Sequence, residues 1–271
     1  MNTIKLKEKL TSGKRIYGTA VVSPSVKWVD VIKQANLDFV FLDSEHIPMG
    51  RETLANLCSI YSANGIPPIV RIPSPDPYTA CTTLDGGASA ILAPYVETVE
   101  QVKELVGAVK YRPLKGVKLK KILDGKEGLT DKLKNYIDDR CKNNLLFINI
   151  ESQPAVDNLP ELLSVRGLDG VIIGPHDLSC SMGLPEEYNN PIFEETVNKI
   201  IGECNKRNMG IGIHLSEEPE QQIKWSKLGV NIILHSSDIS LFGKILNKEI
   251  ITIKKGLEDK VDDSDYLSTT I

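Results

Sequence analysis

The chain has 271 residues, 41% hydrophobic and 25% charged, the balance of an ordinary globular domain. A net charge of −4 and a pI near 5.7 argue against nucleic acid as the main partner, because phosphate binding needs a basic field. The five cysteines form no C-x-x-C pair, the N-terminus MNTIKLKEKLTSGKR lacks an apolar signal core, and no apolar stretch reaches the ~18 residues of a membrane helix. The expectation is a soluble cytoplasmic protein with no membrane or nucleic-acid partner.

In chain order, residues 3–13 read as a short helix and Ile16–Val22 as a strand. Ser25–Ala35 is a helix with Val26, Val29 and Ile32 on one face, and Asp38–Asp43 (DFVFLD) is a buried strand running into Ser44-Glu45-His46. A helix over 51–63 places Leu54, Leu57, Cys58 and Tyr61 on one stripe and ends at Asn64-Gly65. Pro68–Ile72 is a third strand, PSPDP opens another helix, and Ser89–Pro94 is a fourth strand. Thr98 and Gln101 make a capping box before the stripe Val102, Leu105, Val106, Val109.

Residues 110–143 break this rhythm. They are lysine-rich and poorly periodic, so they read as an insertion with some helix around 130–141; the lysines of KGVKLKK show no helical face and read as solvated. Leu145–Ile150 and Val171–Ile173 then supply two strands around a short helix in AVDNLPELL. Helix 192–207 buries Phe193, Val197, Ile200 and Ile201. Gly210–Leu215, a helix over 218–228, and Asn231–His235 complete the series.

Eight apolar strands alternate with helices, and none shows the strict alternation of a solvent-facing sheet. That pattern predicts a parallel sheet buried on both faces, closed as a (β/α)8 TIM-type barrel; an open doubly wound sheet is the runner-up. No G-x-G-x-x-G follows the first strand, which disfavours the dinucleotide-binding version. Residues 1–256 read as a single domain and 257–271 as a polar, disordered tail.

In a barrel, chemistry gathers at the C-terminal strand ends. Glu151 follows the fifth strand, and the sixth runs through Gly174-Pro175-His176 into Asp177. Neighbouring strands lie about 4.8 Å apart, so these carboxylates can converge on one cation. Two hard oxygen ligands with open positions suit Mg²⁺ or Mn²⁺ better than Zn²⁺; the alternative is that Glu151 caps the next helix and Asp177 a turn. Arg71 sits in a strand otherwise made of Pro, Ile and Val. It is either a grip for a carboxylate or developing oxyanion, or one half of a structural salt bridge to Asp43 or Asp85.

His46, with Asp43 three residues earlier, is a candidate general base oriented by a carboxylate. His176 reads as pocket lining rather than a third metal ligand, and His214 and His235 as core or supporting residues. None of the predicted strands contains a lysine, so a Schiff-base aldolase would lack its amine.

Several motifs, in order and spacing, resemble the class II pyruvate aldolases of the HpcH/HpaI (4-hydroxy-2-oxoheptanedioate aldolase) family. They are LDSEHIP, PIVRIPSPDP, LDGGASAILAPYVETVEQ, INIES and IIGPHDLSCSMG, within a resemblance covering roughly residues 5–245. It implies a modified barrel of the pyruvate/phosphoenolpyruvate-binding kind. It also implies a hexamer, assembled as a trimer of dimers that exchange a C-terminal helix, and metal-dependent cleavage of 4-hydroxy-2-oxo acids to pyruvate and an aldehyde.

By the same resemblance, Glu151 and Asp177 are the metal ligands, and Arg71 holds the keto oxygen as it becomes an enolate. His46, with Asp43, is the base acting through a metal-bound water, and Gly174, Pro175 and His176 line the pyruvate pocket with their backbone. His176 stands where many relatives carry a small residue or tyrosine, and Gly116-Val117-Lys118-Leu119 replaces a common G-x-R-G pattern; both departures touch the substrate side. Two alternatives are an acyl-CoA lyase of the citrate lyase β or malyl-CoA type and an inactive barrel serving as a binding subunit.

Overall fold

Short apolar runs that each stop at a polar residue give strands too brief and too uniformly buried for an exposed sheet. In the computed structural model, which describes residues 3–215 and 219–261, there are eight. They are β1 (Ile16–Val21), β2 (Phe39–Asp43), β3 (Pro68–Arg71), β4 (Ala90–Ala93), β5 (Leu145–Ile150), β6 (Gly170–Ile173), β7 (Gly210–Leu215) and β8 (Ile232–Ser237). They pair in sequence order, all in parallel, and β8 closes on β1. The helices are α1 (Thr3–Thr11), α2 (Trp28–Gln34), α3 (Arg51–Ala63), α4 (Pro77–Asp85), α5 (Val99–Lys110), α6 (Gly116–Leu123), α7 (Asp131–Cys141), α8 (Gln153–Asp157), α9 (Leu159–Leu163), α10 (Pro175–Ser181), α11 (Pro191–Lys206), α12 (Pro219–Leu228) and α13 (Asp238–Gly256). The chain is a (β/α)8 barrel.

Two apolar clusters hold it together. The larger lies between strands and helices and includes the stripes of α3, α5 and α11. The smaller joins residues of the strands, among them Phe39, Phe41, Leu92, Phe147 and Ile172, to Leu6 and Leu10 of α1. Gly18 is required there: a Cβ would stand 2.4 Å from the Phe39 ring. Asp238, buried in the first turn of α13, accepts from the Val22 and Ser23 backbone N–H groups at 3.0 and 3.1 Å, tying the last strand–helix junction to the first.

Local signals explain most helix starts. Asp76 caps α4 through Tyr78 and Thr79 N–H with Pro77 in the first turn, and the Thr98–Gln101 capping box is formed at α5. Four expectations change. Val26 is 52% exposed, because α2 begins only at Trp28. AVDNLPELL forms two short helices meeting at Asn158, since Pro160 brings no N–H to extend the first.

Gly174-Pro175-His176, expected to carry the sixth strand through into Asp177, instead opens α10. KGVKLKK opens α6, with Lys115 as its N-cap: interleaved lysines mask a face on which Leu119 and Leu123 approach Gly107 of α5, within 3.1 Å of where its Cβ would be. Position 218, expected to open the helix before β8, and most of the expected tail, 262–271, lie outside the described residues. Among the described residues, no helix is long and apolar enough to cross a membrane.

Candidate active site

Parallel strands send all their C-terminal ends to one mouth, so residues far apart in sequence meet there. A cavity of about 560 Å³ opens at this end, lined by Asp43, His46, Arg71, Gly174, Pro175, His176 and Asp177 over a floor that includes Phe41, Leu92 and Ile172. A second cavity, about 490 Å³, is lined largely by α3 and α4 and holds none of these residues.

Asp43 and Arg71 occupy paired positions at the ends of β2 and β3. Arg71 donates from Nη2 to Asp43 Oδ2 at 2.6 Å and from Nε to Oδ1 at 3.0 Å, and its guanidinium carbon stands 5.6 Å from the centre of the Phe41 ring. Burial pushes the Asp43 carboxyl up, but the Arg71 pair and the Glu45 N–H outweigh it, leaving this acid below the usual range. Glu45 flanks the same cation, with Oε2 3.0 Å from Arg71 Nε. That N–H is directed at Asp43, so the buried Glu45 Oε2 has an ionic neighbour and no hydrogen bond of its own.

The expected Asp43–His46 dyad is not formed. Both Asp43 oxygens serve Arg71, and Oδ1 also accepts from the Glu45 backbone at 2.9 Å. His46 is exposed at the cavity mouth, and its Nε2 is 3.8 Å from Glu45 Oε1. Asp85, the other partner considered for Arg71, pairs instead with Arg112 at 2.7 Å.

Glu151 does not cap a helix; Ser152 does that for α8. Its side chain is buried, with Oε1 accepting from Tyr95 N and Oε2 from Asn149 Nδ2, both at 2.6 Å. Asp177 lies in the first turn of α10. Gly174 separates the two acids: a Cβ on it would be 3.2 Å from Glu151 Oε2 and 3.7 Å from Asp177 Oδ2. Burial raises the Glu151 pKa above its usual value, opposed by its two donors and assisted by Asp177 and Glu45.

A buried carboxylate beside other carboxylates fits a divalent cation, which would relieve that repulsion. Among the described residues no group of three or more His, Cys, Asp or Glu is arranged to hold a metal. The protein's share would be these two carboxylates, leaving the other positions of a hard ion to water and substrate.

Four further residues belong to this site. Asn149 lines the cavity and keeps a buried Oδ1 without a hydrogen bond; its signal was a polar residue inside LLFINI. Glu45 was visible at the rim but carried no assigned role. His214, expected as a core or supporting residue, lines the cavity, and burial, followed by the Arg71 charge, lowers its pKa to about 4. Tyr95 adopts φ +55 to give its N–H to Glu151, and a hydrogen bond to Glu45 raises its phenol to about 12. No local pattern announced it.

A closed parallel barrel carrying acids, a clamped arginine and histidines at its C-terminal mouth has the build of a barrel lyase. Residues 21–238 match the HpcH/HpaI aldolase/citrate lyase family, and the chain belongs to that family as a carbon–carbon lyase. It is 27% identical over 252 residues to the 2-keto-3-deoxy-L-rhamnonate aldolase of Escherichia coli K12, covering 92% of this chain and 93% of that one. Among solved structures it resembles an HpcH/HpaI aldolase from Desulfitobacterium hafniense (26% identity, TM-score 0.79, 92% of this chain and 96% of that one). It also resembles the citrate synthase SbnG (27% identity, TM-score 0.80, 94% and 99%).

Proposed function

We propose that the chain is a divalent-metal-dependent aldolase that cleaves 4-hydroxy-2-oxo acids to pyruvate and an aldehyde, and forms them in reverse. The observation that carries this reading is the meeting of Glu151 and Asp177 across Gly174, beside a cavity that also presents Arg71. These two carboxylates would hold Mg²⁺ or Mn²⁺. A cation bound there supplies Lewis acidity toward the substrate's carboxylate and 2-oxo oxygen.

Arg71 meets the charge that develops on the 2-oxo oxygen. Asp43 and Glu45 hold its guanidinium in place beforehand, so little reorganisation accompanies the reaction. His46, at the mouth beside Glu45, takes the 4-hydroxyl proton. The C3–C4 bonding pair then passes into the pyruvate enolate as the aldehyde carbonyl forms, and a proton returns to C3. Gly174, Pro175 and His176 form the wall beside Asp177 against which the 2-oxo acid lies. The described strands contain no lysine, so the barrel offers no amine for an imine route.

The proposal extends to assembly and setting. The protein works as a homo-oligomer, a hexamer built from three dimers, in the cytoplasm. In support, α13 exposes Ile239, Phe242, Ile245, Leu246, Ile250 and Ile253, more apolar surface than a solvated helix ordinarily shows, and all five cysteines are free.

Release of pyruvate, coupled to lactate dehydrogenase, tests the reading across a panel of 4-hydroxy-2-oxo acids. Turnover with Mg²⁺ or Mn²⁺, abolished by EDTA, is expected. Absence of pyruvate from every member of the panel would refute it.

A further inference from the structure

His46 lacks the partner that its sequence neighbourhood suggests, because both Asp43 oxygens are taken by Arg71. A histidine that takes a proton also gains a charge, and an acid beside the ring stabilises that charge. One acid is placed to do so. Glu45 Oε1 stands 3.8 Å from His46 Nε2, while Oε2 of the same group stands 3.0 Å from Arg71 Nε.

The position of Glu45 is built into the fold. Its backbone N–H donates to Asp43 Oδ1 at 2.9 Å. The preceding Ser44 donates its N–H and its hydroxyl to the Arg71 carbonyl, at 3.0 and 2.6 Å. The Tyr95 phenol hydrogen-bonds to the Glu45 carboxylate, and the Tyr95 N–H, turned by a backbone at φ +55, holds Glu151 at 2.6 Å. The Glu45 side chain is 7% exposed, against 57% for His46. A fixed, buried carboxylate thus faces an exposed ring on one side and a clamped guanidinium on the other.

Resting on the aldolase reading above, we infer that Glu45 is the positioning residue for the general base. It orients the His46 imidazole and stabilises the charge that the ring acquires with the 4-hydroxyl proton, and the Tyr95 phenol keeps it in place. The same carboxylate flanks Arg71, so it stands between the imidazolium and the guanidinium that meets the enolate oxygen. Proton removal at one end of the breaking C3–C4 bond is thereby linked to charge stabilisation at the other.

The test uses the full-length enzyme with Mn²⁺ and the 4-hydroxy-2-oxo acid that the wild type cleaves fastest. Deuterium exchange into pyruvate's methyl group, run without aldehyde, reports the pyruvate half separately. Glu45→Gln keeps the shape of the side chain and offers its amide oxygen to Arg71, so exchange should be little changed. Its kcat for cleavage should fall roughly 10–100-fold with KM little changed, the scale of one charge pair at this distance. In a His46→Ala background the same substitution should cost nothing further, because the group it acts through is gone. Tyr95→Phe, which keeps the N–H to Glu151 and loses only the phenol, should show the same pattern more weakly. It carries the test if Glu45→Gln fails to fold.

A loss equal with and without His46 would place Glu45 in the Arg71 clamp or the fold alone, and overturns the inference. Exchange that falls as far as cleavage, or a kcat unaltered in both variants, has the same effect. In each case exchange by the wild-type enzyme leaves the aldolase reading standing. A wild type that neither exchanges nor releases pyruvate brings down that reading and this inference together.

Discussion

Arg71 holds Asp43 by both edges of its carboxylate, at 2.6 and 3.0 Å, across two strands whose register places the residues side by side. An arginine at the end of an otherwise apolar strand is therefore paired before any ligand arrives. The pair fixes the direction of the fork, and Glu45 closes its other flank at 3.0 Å.

Asp43→Asn should cost about 2–4 kcal/mol in urea unfolding, because it leaves a largely buried guanidinium with Glu45 as its remaining partner. The Asp43 pKa is depressed in the fold, so its contribution is present above the ordinary carboxylate pKa and lost as pH falls through the folded value. Wild-type stability should accordingly decline in acid below about pH 4, and the variant should lose less over the same window. An unchanged unfolding midpoint would show that the pair adds nothing to stability.

For Arg71→Lys the turnover number, rather than the Michaelis constant, should fall, since one ammonium cannot reproduce a two-edged fork. Exchange of pyruvate's methyl protons should be suppressed with it. Intact exchange alongside a raised Michaelis constant would make Arg71 a ground-state anchor instead.

His46→Ala should lower turnover by roughly 10²–10⁴-fold with metal affinity little changed. His46 makes no hydrogen bond to Asp43 and acts on it only through charge and the shared neighbour Glu45, so a double-mutant cycle on kcat/KM should show weaker coupling between these two than between Asp43 and Arg71. The Asp43–Arg71 cycle should instead show coupling of 1 kcal/mol or more, on the order expected for contacting residues. Strong Asp43–His46 coupling would restore the dyad that the geometry lacks.

Glu151→Gln and Asp177→Asn should each weaken Mn²⁺ binding, read by calorimetry, by about 100-fold, since each removes a charge and a hard ligand. Neither should unfold the metal-free protein. The Glu151 pKa is raised in the fold, so this acid favours the native state less as pH rises through that raised value, and the amide removes the penalty. Full Mn²⁺ affinity in either variant would refute the proposed ligand set.

His214 supplies a pH effect of its own. Its pKa falls to about 4 in the fold against an ordinary value near 6.5, so the unfolded chain binds the extra proton between these limits. Stability should therefore drop as pH falls from about 6.5 toward 4, by up to about 3 kcal/mol, with less expected because the ring borders an open cavity. His214→Gln should flatten the slope in that window, measured by urea midpoints at successive pH values. A slope unaltered by the substitution would assign the acid sensitivity to other groups.

The barrel was legible because its signals are local. Alternation of apolar runs with helical stripes such as Leu54, Leu57, Cys58 and Tyr61 is written in adjacent residues, and those four are indeed buried. The polar residues that end each run were legible as a set, since parallel strands all deliver their C-terminal ends to one mouth. Pairing within that set was decided by strand register and loop geometry, which no short segment contains.

Register set Asp43 beside Arg71 instead of His46, although His46 is nearer in sequence. Barrel geometry turned His214 into the cavity, and a strained backbone at Tyr95 delivered the N–H that holds Glu151. The face of α6 stayed hidden because its apolar residues are interrupted by lysines and recognised only against Gly107. The sequence by itself determined which residues reach the mouth of the barrel. The tertiary structure decided which of them touch, because contact between side chains on different strands depends on the register and closure of the whole sheet.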